Sequence, residues 1–305
     1  MKSATPLAHL RACLAVGDTA SPTLVAAITG RQIDWRQVCW QAGTHLVTPS
    51  LAGALRRKAL IHLLPCEARS YLDEMQALNQ NRSRMLCTAL GQIADRLNRI
   101  DIAPLLLKGA NALLPDQYDG AEDRVIGDLD LLVPENRIEP ATQAIRDLGY
   151  RQVEQDNLLP GEGKDKHHSS PLLHRSLPIK VELHRRIQSD QRDDAHLMRG
   201  LESKRITLPD GPMIQTPDTE TRLLHNFLHA QISDRQRRRR LLNLRQLLEF
   251  AALAQWQAET LDWSAMRQRL RPSRRQAFAE YLAQAECWLG LAYPAIVDPE
   301  NRTVI

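Results

Sequence analysis

The sequence predicts an α+β fold, a small mixed β-sheet with flanking helices set between N-terminal and C-terminal helical regions. Three observations predict it. From residue 1 to about 100, apolar residues recur at helical spacing with no strand-like alternation. From Ile102 onward, short apolar runs bounded by turn residues replace that pattern. After Thr216-Pro217-Asp218 the helical spacing returns. The expected division is 1–100 for the N-terminal helical region, 101–210 for the sheet-bearing core and 211–305 for the C-terminal helical region.

Turn signals at Gly17-Asp18 with Ser21-Pro22, at Thr48-Pro49-Ser50 and at Pro65 cut the first region into several helices. Residues 31–51 predict a helix and the start of the next, burying Trp35, Val38, Cys39 and Ala42. Met85, Leu86, Ala89, Leu90, Ile93, Leu97 and Ile100 share one helix face. Ala103-Pro104-Leu105-Leu106-Leu107 is too short for a helix and is broken by Lys108-Gly109, which predicts a buried strand ending in a tight turn, with a short helix over 111–114 to follow. Next come a strand near 126–133, a helix over 135–148 ended by Gly149, and a strand over 150–154. Residues 156–166, with Pro160-Gly161-Glu162-Gly163, read as a loop, and 168–174 with 179–185 as a hairpin. Helices are expected over 219–232, 237–254, 263–270 and 273–289, with Thr216 or Asp218 as a cap and an irregular tail beyond Pro294.

The 305 residues, 43% hydrophobic and 25% charged, have an ordinary globular composition, which excludes disordered and fibrous classes. No apolar run approaches the roughly 20 residues needed to span a bilayer, and the first residues lack a signal-peptide segment, so a cytoplasmic protein with no membrane partner is expected. Five scattered cysteines without close CxxC pairing read as reduced packing residues, and the five tryptophans as core. A net charge of +4 is mild, but Arg235, Arg237, Arg238, Arg239 and Arg240 form a dense basic run. Two readings of that run stand, a solvated helix start or a patch contacting RNA phosphates; Lys164-Asp165-Lys166-His167-His168 is a smaller basic stretch.

The chemistry-bearing residues cluster in the core. A strand through Gly127-Asp128-Leu129-Asp130-Leu131-Leu132-Val133 carries Asp128 and Asp130 on one face, with Leu129, Leu131 and Val133 on the other. In Ile179-Lys180-Val181-Glu182-Leu183-His184 the same alternation turns Lys180, Glu182 and His184 toward the cleft. Three carboxylates, Asp128, Asp130 and Glu182, are the arrangement that holds magnesium or manganese against a nucleoside triphosphate. Lys108, Gly109 and Arg124 are candidate triphosphate contacts, because glycine lets a backbone approach phosphate oxygens and cations offset their charge. His184, two residues beyond Glu182, is a candidate for orienting a ligand or water. His225 and His229, four apart on one helix face, lack the glutamate of a zinc-protease motif and read as packing or cleft-lining residues.

Leu107-Lys108-Gly109-Ala110, Arg124 with Gly127 to Val133, and Val181-Glu182-Leu183-His184 together resemble the uncharacterised bacterial nucleotidyltransferase family of the DNA polymerase β-like superfamily. Asp34-Trp35 with Ala42 to Pro49 is similar to that family's N-terminal helical segment, and Leu224-His225 through His229 with Arg240-Leu241-Leu242 to its C-terminal helices, a likeness over about residues 30–260. The Lys-Gly and Arg-x-x-x-Asp-x-Asp arrangement is also similar to abortive-infection toxin nucleotidyltransferases. The resemblance implies a nucleotidyltransferase-like sheet, with Asp128, Asp130 and Glu182 as catalytic metal ligands and a nucleoside triphosphate as co-substrate. It leaves the acceptor open among RNA, protein and small molecules. One departure is Gly109-Ala110, where many superfamily members carry Gly-Ser, so no serine hydroxyl is offered to the phosphates. The alternative is a nucleotide- or RNA-binding module of the same fold without turnover.

Overall fold

The structure, a computed structural model, describes residues 5–115, 117–118, 120–152, 167–209 and 211–294. The N-terminal helices are α1 (Pro6–Leu14), α2 (Pro22–Thr29), α3 (Trp35–Thr44), α4 (Thr48–Arg57) and the long α5 (Cys66–Asn98). Thr5, Ser21 and Asp34 cap the first three, each side-chain oxygen accepting from the N–H three residues on. The expected four residues of α3, Trp35, Val38, Cys39 and Ala42, are its buried face. α5 runs about 50 Å at the usual helical rise, buries Leu86, Leu90, Ile93 and Leu97, and packs on α4 and α6 (Ile138–Arg146).

The strands are β1 (Leu105–Leu107), β2 (Leu129–Leu132), β3 (Tyr150–Gln152), β4 (Leu172–His174), β5 (Lys180–His184), β6 (Ser203–Thr207) and β7 (Met213–Pro217), in the sheet order β3-β4-β5-β2-β1-β7-β6. β2 pairs parallel with β5 and β1 parallel with β7, while the other pairings are antiparallel, so the sheet is mixed as expected. The hairpin of β4 with β5 is present. α7 (Gln191–Arg199) and the β6–β7 hairpin were not anticipated. β6 exposes Ser203, Lys204, Arg205 and Thr207 at the sheet edge, so it has no apolar face to read from sequence.

The C-terminal part comprises α8 (Thr219–Leu228), α9 (Gln236–Arg239), α10 (Leu244–Trp256), α11 (Trp263–Arg269) and α12 (Pro272–Leu289). Asp218 is the α8 cap, donated to by Thr221 N–H at 2.7 Å. Two expected helices are corrected. The helix over 219–232 changes to a π-turn at His229–Ser233, and the helix over 237–254 is two helices, because Arg240 takes φ 54° and Asn243 recaps the chain at α10. Beyond Lys108, a 3-10 turn over Lys108–Leu113 stands in place of the short helix. The Asp-bearing strand is shorter than expected, Leu129–Leu132, and residues 124–128 lie outside any ladder.

One continuous apolar core runs from Leu10 through the sheet to Phe227, Phe250, Phe278 and Tyr281. Cys13 and Cys39 pack as expected, whereas Cys66, Cys87 and Cys287 are exposed. Trp35 and Trp263 are buried, but Trp40 and Trp256 are exposed, which corrects the reading of all tryptophans as core. No helix among the described residues is long and apolar enough to cross a membrane. The loop 156–166, the basic residues Lys164 and Lys166, and the tail beyond Pro294 lie outside the described residues.

Candidate active site

Two strand registers assemble the cluster. The parallel ladder sets Asp130 directly opposite Glu182, and the antiparallel ladder sets Leu107 opposite Asp130, so Lys108 emerges beside the same carboxylate. Ile179, Val181 and Leu183 are buried in the core, and Lys180, Glu182 and His184 share the other face, as alternation requires. Asp130 accepts from Lys108 Nζ at 2.7 Å and is bonded to His184 Nε2 at 2.7 Å. Lys180 Nζ lies 2.7 Å from Asp128 Oδ2 and 2.9 Å from Glu182 Oε1. Asp128, Asp130, Glu182, Lys108 and His184 are therefore brought together, with Lys180 as an additional member that alternation on β5 made legible.

Asp128 lies just ahead of β2, in a stretch whose carbonyls have no strand partner. Buried carbonyls need donors, and here side chains supply them. Asn79 Nδ2 donates to Glu122 and Arg124 carbonyls at 3.3 and 3.4 Å, and Arg245 Nη1 to Val125 O at 3.1 Å. Arg82 donates to three carbonyls at once, Ile126 at 2.9 Å, Gly127 at 2.8 Å and Pro178 at 3.1 Å. That last bond ties the approach to Asp128 to the turn that precedes β5. Nothing local in the sequence marks Arg82, Asn79 or Arg245 for this role, since each is tens of residues from its acceptor.

Lys108 takes a left-handed backbone, φ 47°, which turns the chain sharply at the end of β1. Gly109 follows, and a Cβ there would come 2.0 Å from Arg124 Nη1. In this structure Gly109 makes room for a guanidinium. Arg124 is buried, and its Nη2 pairs with Glu249 of α10 at 2.8 Å, so it braces the turn from behind. Asn111 Nδ2 donates to Leu106 O and Lys108 O, and Thr216 of β7 donates to Asn111 Oδ1 at 2.8 Å, completing the support.

Burial opposes ionisation of Asp130, but Lys108 and His184 outweigh it and hold the carboxyl well below its usual range. Burial likewise pulls on Lys108, and Asp130, Glu182 and Asp128 outweigh it, keeping the ammonium charged. Burial lowers the His184 imidazole against the pull of Asp130. His184 Nδ1 is buried without a hydrogen-bond partner among the described residues. His167 and His168 flank it, with ring centroids 5.3 and 5.4 Å away, and burial first, then the neighbouring His184, pushes His167 down to about 3. His225 and His229 line a cavity of about 30 Å³ with Lys108, Asn111 and Arg124, room for a water or two. They are cleft-lining residues, with Gln246 Nε2 2.9 Å from His229 Nδ1.

The donor set fits a hard divalent cation. Asp130, Glu182 and His184 offer ligand atoms within 4.8 Å of one another, and the Lys180 ammonium touching both Asp128 and Glu182 marks a point where two carboxylates converge on positive charge. The arginine run is on the surface, with Arg235 and Arg237 to Arg240 all exposed. Arg237 is held bidentate by Glu280 at 2.7 and 2.8 Å.

The family described as "Uncharacterised nucleotidyltransferase" matches residues 31–290. Searches of curated proteins and of solved structures return no match. With most of its length covered, the chain belongs to this uncharacterised nucleotidyltransferase family.

Proposed function

We propose that the protein transfers a nucleoside monophosphate from a nucleoside triphosphate to an acceptor hydroxyl. The acceptor oxygen attacks the α-phosphorus, the bond from that phosphorus to the bridging oxygen breaks, and pyrophosphate leaves. The observation that carries this reading is the β2–β5 register, which sets Asp130 opposite Glu182 with Asp128 on the same Lys180 ammonium. Asp128, Asp130 and Glu182 would hold magnesium or manganese, which offsets charge on the triphosphate and favours the ionised acceptor oxygen. Glu182, the less buried of the paired carboxylates, would take the acceptor proton. Lys108 contacts the triphosphate, Gly109 and Arg124 shape the turn that presents it, and His184 orients Asp130. Such chemistry suits a cytoplasmic setting, where nucleotides and magnesium are supplied.

Incubating the purified protein with labelled nucleoside triphosphates, magnesium or manganese, and total RNA or protein tests the proposal. Transferred label that disappears in Asp128→Asn with Asp130→Asn is the expected result, and transfer that persists in that variant would sink it. The basic run is the candidate RNA contact: Arg235, Arg238, Arg239 and Arg240 are exposed, with no carboxylate in ion-pair contact among the described residues. If RNA is the acceptor, Arg238→Ala with Arg239→Ala lowers RNA retention and flattens its salt dependence by about one counterion per lost contact.

A second reading, a nucleotide- or RNA-binding module without turnover, is favoured by the two ammonium groups already seated on the carboxylates. Under it, nucleotide is retained with no label transferred and no requirement for a divalent ion.

A further inference from the structure

Away from the carboxylates, α1, α4, Tyr118, Gly120 and α10 line a pocket of about 310 Å³, the lower end of the range for small-molecule sites. Its lining carries four cations, Arg57, Lys58, Arg124 and Arg245, against two carboxylates, Asp18 and Glu249. Two of the cations are spoken for. Arg57 Nη1 pairs with Asp123 at 3.2 Å and Arg124 with Glu249 at 2.8 Å.

Lys58 is different. It is 8% exposed, its ammonium donates to Ala15 O at 2.7 Å, and among the described residues no carboxylate lies within ion-pair distance of it. A buried, unpaired ammonium is costly, and an anion beside it removes the penalty. Arg245 donates one N–H to Val125 O and lines the same pocket. Tyr118 is 6% exposed, and its hydroxyl is buried with no hydrogen-bond partner among the described residues. The remaining wall is apolar, formed by Leu14, Val16, Leu248 and the half-exposed indole of Trp256.

An anion-recognising side opposite an apolar, partly aromatic side defines the guest. We propose that this pocket binds a phosphate monoester carrying a planar ring, of nucleoside monophosphate size, with the phosphate at Lys58 and Arg245 and the ring against Leu248 and Trp256. The site is separate from the carboxylate cluster and stands whether or not that cluster transfers nucleotides. It does touch the cluster's support, since Arg124 and Glu249 line both this pocket and the small cavity beside Lys108.

The test is titration calorimetry of the full chain in chelator, with the four common nucleoside 5′-monophosphates, inorganic phosphate and adenosine as probes. At least one monophosphate is expected to bind more tightly than both phosphate and adenosine. Lys58→Gln, which keeps a donor for Ala15 O but removes the charge, weakens it about tenfold or more. Ala252→Phe, which fills the pocket from α10, does the same by exclusion, and thermal melts verify that both variants fold. Asp128→Asn with Asp130→Asn leaves the affinity unchanged. The proposal is overturned by no monophosphate binding, by phosphate or adenosine binding as tightly, by affinity unaffected in the folded Lys58 and Ala252 variants, or by affinity lost in the aspartate variant. In that last case the probe is sitting on the carboxylate cluster.

Discussion

Asp128 and Asp130 are two residues apart, yet the protein fixes them by different means. Asp130 sits inside β2, where hydrogen-bonded ladders to β1 and β5 set its position from both sides. Asp128 ends a stretch with no ladder, whose carbonyls are taken by Asn79, Arg82 and Arg245 from two helices. A ladder spreads positioning over many equivalent bonds, so single side chains matter little to it. The stretch before it concentrates positioning in a few long side chains, and one arginine holds three carbonyls.

If the proposed transfer is the reaction, Asp130→Asn is expected to lower label transfer by more than about a thousandfold while the circular dichroism spectrum is retained. Transfer within tenfold of wild type would remove Asp130 from the reaction. Arg82→Ala acts only on positioning, and turnover is expected to fall about 10- to 100-fold, because small displacements of catalytic groups are expensive in rate. Arg82→Lys should recover little of this, since one ammonium lacks the planar fork that spans three acceptors. If Arg82→Ala leaves turnover intact, the ladder alone holds both aspartates.

Gly109→Ala drives a methyl into the Arg124 guanidinium, which Glu249 prevents from swinging aside. Steric overpacking of this kind destabilises by about 1–3 kcal/mol, readable as a lowered denaturant midpoint. The smallest effect belongs to Arg237→Ala, which removes an exposed ion pair with Glu280 and should change stability by less than about 1 kcal/mol.

Alternation and hydrophobic spacing made the α+β plan, the β4–β5 hairpin and the faces of β2 and β5 legible, because those features are local in sequence. Lys180, Glu182 and His184 sharing a face followed from the same rule. The β6–β7 hairpin was hidden by a polar edge strand, and the break at Arg240 by an arginine in a backbone region that side chains rarely choose. Glu249 as the partner of Arg124, and Arg82 as the clamp ahead of Asp128, were out of reach for another reason. Each joins residues far apart along the chain through one side chain, and no periodicity records such a bond.

Lys180 and Glu182 ride on the same strand, and that bears on the order in which the protein assembles. β5 is the partner that must travel farthest to reach β2, around α6 and the β3–β4 pair, and parallel pairings of such separation form slowly. A strand bringing only a glutamate would dock against two aspartates and be repelled. β5 brings its own countercharge, so with Lys108 two ammonium groups face the three carboxylates as the sheet closes. Refolding in chelator is thus expected to match refolding in magnesium, and Lys180→Met is expected to slow the chelator reaction selectively. Equal rates for the variant in both conditions would show that the lysine has no part in closure.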